Sequence, residues 1–339
     1  MKNIKVLDCT LRDGAQTNAG RFGDQAIKDI VAYLTDAGID LIECGYLKDV
    51  DFEAGRTYFS HTKEMEPYIP EDKQNSRYCV LLDVGKYDLD KLQNYDGRTI
   101  DLIRASFFEW NLDGVYDYCA KIQDKGYALS IQPMDTYSYS DENLDRLLEI
   151  VNKLNPEMMA IVDTYSHATS EDVARIYNKV EPKLNKNVAL GFHTHNNMLN
   201  AFDLARTILN TCVESRELRL DSSLFGMGRG GGNLNTEIIT EYLMSQGYRQ
   251  FNMKPILDAI DNYMLDFKKR FDWGYSMPML YCALYGVHVN TAAYLEQKPG
   301  VTSFDLREMF KTLDPYLKRR YDYDYLDKVY DEYMKNKKA

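Results

Sequence analysis

Two histidines supply residue types from which a metal-dependent active site can be built. His193 and His195 lie in the segment Gly191-Phe-His-Thr-His-Asn-Asn197, directly after the apolar run 187–190. That run is typical of a strand, in which every second side chain points to the same face, so both imidazoles would point the same way. Two imidazoles on one face can hold one divalent ion. The alternative is that one histidine faces solvent and the other caps a loop.

A carboxylate near the N-terminus can complete this ligand set. Asp13 follows the apolar run 4–9, with Arg12 beside it. One carboxylate and two imidazoles leave coordination positions open, as in a catalytic rather than a structural ion site. Without thiolates the set favours Mn²⁺, Mg²⁺, Co²⁺ or Zn²⁺, of which we expect Mn²⁺. On its own, Arg-Asp-Gly is also compatible with a plain turn and a surface ion pair.

A glycine-rich segment follows the last predicted strand. Residues 226–232 contain five glycines, which allow the backbone to approach a ligand closely. The segment lacks the Lys-Ser/Thr ending of a P-loop, which argues against an ATP site. We interpret it as a loop that covers a substrate, with Arg229 and Asn233 as its polar contacts and Asn233 as a candidate fourth ligand. The alternative is a flexible linker.

Polar residues also end two other predicted strands. Arg104 either reaches a substrate or pairs across the fold with Glu43 or Asp163, and the sequence leaves both alternatives open. Thr164 is a candidate donor to a substrate carboxylate.

Short apolar runs that alternate with longer amphipathic ones would position these residues. Eight such runs are predicted strands: residues 4–9, 40–44, 77–82, 100–106, 127–131, 158–162, the run before His193, and 218–224. Most are followed by a predicted helix, among them 24–36, 111–125 and 141–153. Eight β–α units over about 250 residues predict a (β/α)8 barrel, with its chemistry at the carboxyl ends of the strands. A doubly wound open sheet would need a Gly-rich phosphate turn after its first strand, and the sequence has none there.

The pattern changes after about residue 250. Residues 254–270, 276–294 and 304–336 are predicted helices. We therefore divide the chain into a catalytic barrel, residues 1–250, and a small C-terminal helical region, residues 251–339, which is a candidate oligomer contact.

The amino-acid composition argues against several classes of binding partner. The net charge of −11 argues against nonspecific binding to nucleic acid or to an anionic membrane. No run approaches the ~18 apolar residues of a membrane-spanning helix, and the first residues lack a signal-peptide profile. Six cysteines without a Cys-x-x-Cys pair suit a reducing compartment. We expect a cytoplasmic protein that acts on a small molecule, and a homo-oligomer.

Three of these stretches resemble the DRE-TIM metallolyases, a superfamily that includes 4-hydroxy-2-oxovalerate aldolase, hydroxymethylglutaryl-CoA lyase and isopropylmalate synthase. The first-strand signature is matched by Thr10-Leu-Arg-Asp-Gly14, the His-x-His strand by Gly191 to Asn197, and the glycine loop by Gly226 to Asn233. The resemblance covers roughly residues 4–246. The His-Asn-Asn ending and the glycine loop are most similar to those of the hydroxy-oxo-acid aldolases.

The resemblance implies roles for individual residues. Asp13, His193 and His195 would hold the divalent metal, with Asn233 as an auxiliary ligand. Arg12 would stabilise an enolate, and Thr164 would contact the substrate carboxylate. Tyr275, after Gly274, resembles the tyrosine that the aldolases return to their site. Gln16 stands where the aldolases carry a histidine, as it does in the CoA lyases and synthases.

The implied activity is the cleavage of a 4-hydroxy-2-oxo acid, such as 4-hydroxy-2-oxovalerate, into pyruvate and an aldehyde through a metal-stabilised enolate. His167 and Tyr275 are the candidate bases, and an aldehyde dehydrogenase is a candidate partner. The alternative activity is a Claisen-type acyl transfer that condenses acetyl-CoA with a 2-oxo acid, which Gln16 favours.

Overall fold

Parallel strands form a closed barrel in the computed structural model, which describes residues 3–213 and 216–338. The strands are β1 Ile4–Asp8, β2 Leu41–Leu47, β3 Tyr58–Phe59, β4 Arg77–Asp83, β5 Leu102–Phe107, β6 Ala128–Pro133, β7 Met158–Asp163, β8 Ala189–Thr194 and β9 Leu218–Ser222. Each neighbouring pair is parallel, and β1 pairs with both β9 and β2, which closes the ring. The short β3 only extends β2. Eight strands therefore form the barrel, and the predicted (β/α)8 fold is confirmed.

Helices surround the barrel and continue after it. They are α1 Thr10–Asp13, α2 Ala15–Asn18, α3 Asp24–Asp36, α4 Leu112–Asp124, α5 Asp141–Leu154, α6 Ser170–Val180, α7 Ala201–Thr211, α8 Thr236–Ser245, α9 Met253–Ala259, α10 Leu265–Arg270, α11 Met277–Tyr285, α12 Val289–Glu296, α13 Ser303–Thr312 and α14 Tyr323–Lys338. A π-helical turn, Ile260–Met264, joins α9 to α10. Helix α3 buries the predicted apolar stripe against the strands, because side chains three and four residues apart share one helix face.

Two of the predicted C-terminal helices are each interrupted, so those predictions were wrong in extent. The segment 276–294 is broken by Gly286, which adopts a left-handed conformation with φ 63° and ends α11. The segment 304–336 is broken between α13 and α14, where Pro315 disfavours a helical conformation of the residue before it.

The helices after the barrel fall into two packing groups. Ile256, Phe267 and Trp273 belong to the same apolar core as the barrel strands. A separate small core begins at Cys282 and includes Phe310. The division of the chain at residue 250 stays a prediction.

Two further predictions concerned the cysteines and membrane-spanning helices. All six cysteines are buried. Within residues 3–213 and 216–338, every helix is too short or too polar to cross a membrane.

Candidate metal centre at the barrel mouth

The three predicted metal ligands meet at the carboxyl end of the barrel. One ligand atom from each of Asp13, His193 and His195 lies within 4.8 Å of the others. His195 Nε2 is 3.6 Å from Asp13 Oδ2, and all three residues are buried. The end of β8 positions the histidines, and α1 folds back directly after β1 to bring Asp13 to them. The structure therefore brings together residues that are about 180 positions apart in the chain.

Hydrogen bonds on the far side of each imidazole set its orientation. His193 Nδ1 lies 3.1 Å from Asp221 Oδ2, and His195 Nδ1 lies 2.8 Å from the backbone oxygen of Asp163. Both partners are acceptors, so each Nδ1 donates and each Nε2 keeps its lone pair for the centre. Asp221 reaches His193 because the two residues are register partners on β9 and β8.

Charges around the centre favour a cation. Burial lowers the pKa of His193, which keeps that imidazole neutral. Burial alone would raise the pKa of Asp13, but the positive charge of Arg12 outweighs it and holds the pKa of Asp13 well below its usual range. An ionised carboxylate beside a neutral imidazole is the protonation state that metal binding requires.

The glycine loop contributes a buried amide beside Asp13. Asn233 Nδ2 donates to Asp13 Oδ2 at 2.8 Å, whereas its Oδ1 is buried without a hydrogen-bond partner among the described residues. A side chain at position 228 would not fit, since a Cβ on Gly228 would come within 2.5 Å of Asp13 Oδ2. An unpaired buried oxygen next to one carboxylate and two oriented imidazoles fits a divalent ion.

A chain of buried ion pairs connects the ligands beneath the centre. Arg12 donates from Nη1 to Asp13 Oδ1 and from Nε to Glu43 Oε2, each at 2.6 Å. Arg104 Nη1 lies 2.9 Å from the same Glu43 oxygen, and its Nη2 donates to Asp221. The sequence left two alternatives for Arg104, contact with a substrate or pairing across the fold. The structure shows pairing, with Glu43 and Asp221 rather than with Asp163. Arg104 does not line the cavity that opens above the metal centre.

A cavity of about 100 Å³ opens above the centre. Six of the predicted site residues line it: Arg12, Asp13, Thr164, His193, His195 and Arg229. Arg229 is held by its Nη2, which donates to Asn290 Oδ1 at 2.7 Å. Gln16 also lines the cavity and donates to the hydroxyl of Tyr46 at 2.7 Å.

Neither candidate base lines this cavity. His167 stacks on Tyr165, and its Nε2 lies 3.8 Å from Asp135 Oδ1. Tyr275 is 50% exposed, with its hydroxyl beside the sulfur of Met277. The structure does not bring these two residues to the other predicted site residues.

Sequence reasoning missed several polar residues that the barrel places at the site. Asp83 ends β4 and lines the cavity, where Ser106, its register partner on β5, donates to it at 2.6 Å. Asp221 lies inside β9, and Gln132 lies inside β6 next to Arg104. For Asp221 the sequence did offer a signal, a charged residue inside an apolar strand. Burying an unpaired charge is costly, so such a residue must have a partner.

The hydrogen bond between Asp221 and His193 leads to a first prediction. Asp221→Asn keeps an acceptor of the same shape but removes the negative charge behind the imidazole. We expect Mn²⁺ affinity to fall by about 10- to 100-fold, as is usual when such a partner is changed. Titration of the metal-free protein with Mn²⁺ would measure this effect. Equal affinities in the variant and the wild type would contradict the role of Asp221.

A parallel barrel whose mouth carries one ionised carboxylate and two oriented imidazoles has the arrangement of a metal-dependent barrel enzyme. The chain belongs to the HMGL-like family, whose model matches residues 3–262. The predicted resemblance to the metallolyases is thereby confirmed, and so is the prediction of a lyase-type enzyme.

Two relatives are similar to this chain in sequence, and two solved structures are similar to it in fold. The oxaloacetate decarboxylase of Mycobacterium tuberculosis is 27% identical over 77% of this chain and 76% of its own length. The 4-hydroxy-2-oxovalerate aldolase of Bacillus thuringiensis is 23% identical over 89% of each chain. The HMG-CoA lyase of Brucella melitensis has a TM-score of 0.64 at 16% identity, covering 79% of this chain and all of that one. The carboxyl transferase domain of Rhizobium etli pyruvate carboxylase reaches 0.67 at 15% identity, covering 95% and 57%. These structures share the fold.

Proposed function

We propose that the protein is a divalent-metal-dependent aldolase that cleaves a 4-hydroxy-2-oxo acid, of the type of 4-hydroxy-2-oxovalerate, into pyruvate and an aldehyde. The observation that carries this proposal is the ligand set Asp13, His193 and His195 beside Arg12 in a small buried cavity. The names of several relatives support the same substrate class.

The cavity wall offers groups for each end of such a substrate. A bound divalent ion supplies a Lewis acid for the oxygens of the 2-oxo acid. Arg12 is fixed by Glu43 and Asp13, so its positive charge stays at the cavity wall, where an enolate would develop negative charge. Thr164 Oγ1 accepts a hydrogen bond from the backbone N–H of Asp135, which leaves its own O–H to donate to a carboxylate.

We assign the base to Asp83, the cavity-lining carboxylate that lies outside the ligand set. Ser106 donates to its Oδ1, and Lys86 Nζ lies 2.9 Å from its Oδ2, so both oxygens of this carboxylate are held in place at the cavity wall. Asp83 would take the proton of the 4-hydroxyl group as the C3–C4 bond breaks. The electron pair of that bond stays on C3, the aldehyde leaves, and a proton returned to C3 completes pyruvate.

Pyruvate release from 4-hydroxy-2-oxopentanoate tests this function. We expect release with Mn²⁺ that stops when a chelator removes the ion. Asp83→Asn is expected to slow release by about 100-fold or more, since a positioned base contributes 10²–10⁴. Asp90→Asn, on the exposed surface after the same strand, serves as the control and should leave the rate unchanged. No release with any divalent metal would refute the aldolase. Thiol release from acetyl-CoA and a 2-oxo acid would support the acyltransferase instead.

Decarboxylation of oxaloacetate is a second candidate function. It passes through the same pyruvate enolate but needs no base for a 4-hydroxyl group, so the ligand set and Arg12 at the cavity wall would be sufficient for it. The name of one relative points the same way. Pyruvate and CO₂ from oxaloacetate, with no pyruvate from the hydroxy acid, would favour this candidate.

We further propose Mn²⁺ as the ion, because two nitrogen ligands and one carboxylate suit it. The six cysteines, all buried and without a Cys-x-x-Cys pair, support a cytoplasmic location. We also propose that the protein forms a homo-oligomer and that a partner dehydrogenase consumes the aldehyde.

A further inference from the structure

A second, larger cavity adjoins the first at the barrel mouth. Its volume is about 380 Å³, and Asp83, Ser106 and Met134 line both cavities. Since a water molecule occupies roughly 30 Å³ of liquid, the inner cavity has room for a fragment of about the size of pyruvate. Asp83 therefore stands at the junction between the two cavities. A substituent on C4 of the substrate would extend into the outer one.

Positive charge dominates the wall of the outer cavity. Lys86, Arg319 and Arg320 line it, whereas Asp83 is the one carboxylate among its lining residues in the described part of the chain. The chain as a whole carries a net charge of −11, so this local surplus is opposite in sign to the rest of the protein. A cleft lined by charges of one sign raises the local concentration of ligands of the other sign.

Arg320 has a guanidinium group that no carboxylate neutralises among the described residues. Its Cζ lies 4.2 Å from the ring centre of Trp110 and 4.1 Å from that of Tyr316, and it donates to the Tyr316 hydroxyl. These contacts hold the guanidinium group in place without cancelling its charge. A carboxylate or a phosphate is the group that a guanidinium pairs with in two parallel hydrogen bonds.

Arg319 is only partly neutralised and is fixed to the barrel. Its Nη1 lies 3.4 Å from Asp135 Oδ2. Burial raises the pKa of Asp135 to about 7 although Arg319 opposes the shift, so at neutral pH this carboxyl group offsets part of the charge. The hydroxyl of Tyr165, a barrel residue, donates to the backbone oxygen of Arg319 at 2.8 Å. The C-terminal region is thus held against the barrel mouth at its arginines.

We propose that Arg319 and Arg320 bind an anionic group, a carboxylate or a phosphate, at the aldehyde-derived end of the substrate. This inference rests on the proposed aldolase function and adds a substrate class to it: 4-hydroxy-2-oxo acids with a second anionic group beyond C4. A substrate with only a methyl group at that end leaves Arg320 without an anionic partner.

The aldol reaction run as a condensation tests the proposal. The Mn²⁺-loaded full chain is given pyruvate with two matched pairs of aldehydes: 4-oxobutanoate against butanal, and glyceraldehyde 3-phosphate against glyceraldehyde. We expect kcat/KM to be about tenfold or more higher for the anion in one pair, which identifies the carboxylate or the phosphate. The double variant Arg319→Gln/Arg320→Gln is expected to lower kcat/KM for that anion by about tenfold or more, to near the value for the neutral aldehyde, which changes little. Arg307→Gln, on α13 away from both cavities, should change neither value.

A separate measurement distinguishes failure of this inference from failure of the proposed function. Exchange of the pyruvate methyl protons with deuterium, followed by NMR without any aldehyde, reports on enolate formation alone. Exchange accompanied by equal kcat/KM for anionic and neutral aldehydes would overturn the anion site and leave the aldolase function intact. No exchange and no condensation with any aldehyde would overturn both. An anion preference that persists in the double variant would overturn the assignment to these arginines.

Discussion

Replacing His195 by alanine is expected to remove bound metal and to lower lyase activity by about 1,000-fold or more. The predicted ligand set contains Asp13, His193 and His195, with Asn233 as an auxiliary ligand, and His195 Nε2 lies 3.6 Å from Asp13 Oδ2. The stabilisation that a bound ion supplies is worth several kcal/mol, and about 1.4 kcal/mol corresponds to a factor of ten in rate. Metal content after dialysis and pyruvate release measure the two effects, and the same result is expected for His193→Ala.

His61→Ala is the matched control for these variants. His61 precedes the 3₁₀ turn Thr62–Tyr68 and contacts the backbone oxygen of Lys91, away from the cavity lining. Metal content and activity should stay at the wild-type level in this control. A His195→Ala protein that folds and keeps both its Mn²⁺ and its activity would show that the barrel mouth is not the metal centre.

Replacing Glu43 by glutamine is expected to lower the free energy of unfolding by about 3 kcal/mol or more. Glu43 is fully buried, and one of its oxygens lies against both Arg12 and Arg104. Removal of one charge from a buried ion pair typically costs about 3–5 kcal/mol. The lower end of that range is expected here, because Arg12 keeps Asp13 and Arg104 keeps Asp221 as a partner. Denaturant unfolding followed by circular dichroism would measure this loss.

A second glutamate in a cluster of the same kind, but more exposed to solvent, provides a matched control for Glu43→Gln. Glu157 also lies between two arginines, Arg77 and Arg219, but its side chain is 26% exposed. Water screens this cluster, so Glu157→Gln is expected to cost about 1 kcal/mol or less. Equal losses in the two variants would mean that burial does not set the cost of breaking these clusters.

Local periodicity was sufficient to predict the barrel and the ligand set. A two-residue spacing at the end of an apolar strand directs His193 and His195 to one side, whatever the rest of the fold does. Asp13 could be added because the carboxyl ends of all barrel strands open to the same face. The C-terminal helices were less predictable, since their breaks depend on single residues such as Gly286 and Pro315 rather than on a repeat.

Contacts between distant strands were decided only by the tertiary structure. Arg104 and Asp221 are 117 residues apart and meet because the barrel closes, and periodicity does not specify which strands face each other across its interior. The same holds for Arg319 and Arg320, which docking of the C-terminal region brings to the barrel mouth. The sequence by itself thus determined the fold and the metal-ligand set through short repeats. The position of Asp83 in the cavity wall, the buried ion pairs and the charged outer cavity were decided by tertiary structure, because they depend on how strands and helices remote in the chain are packed together.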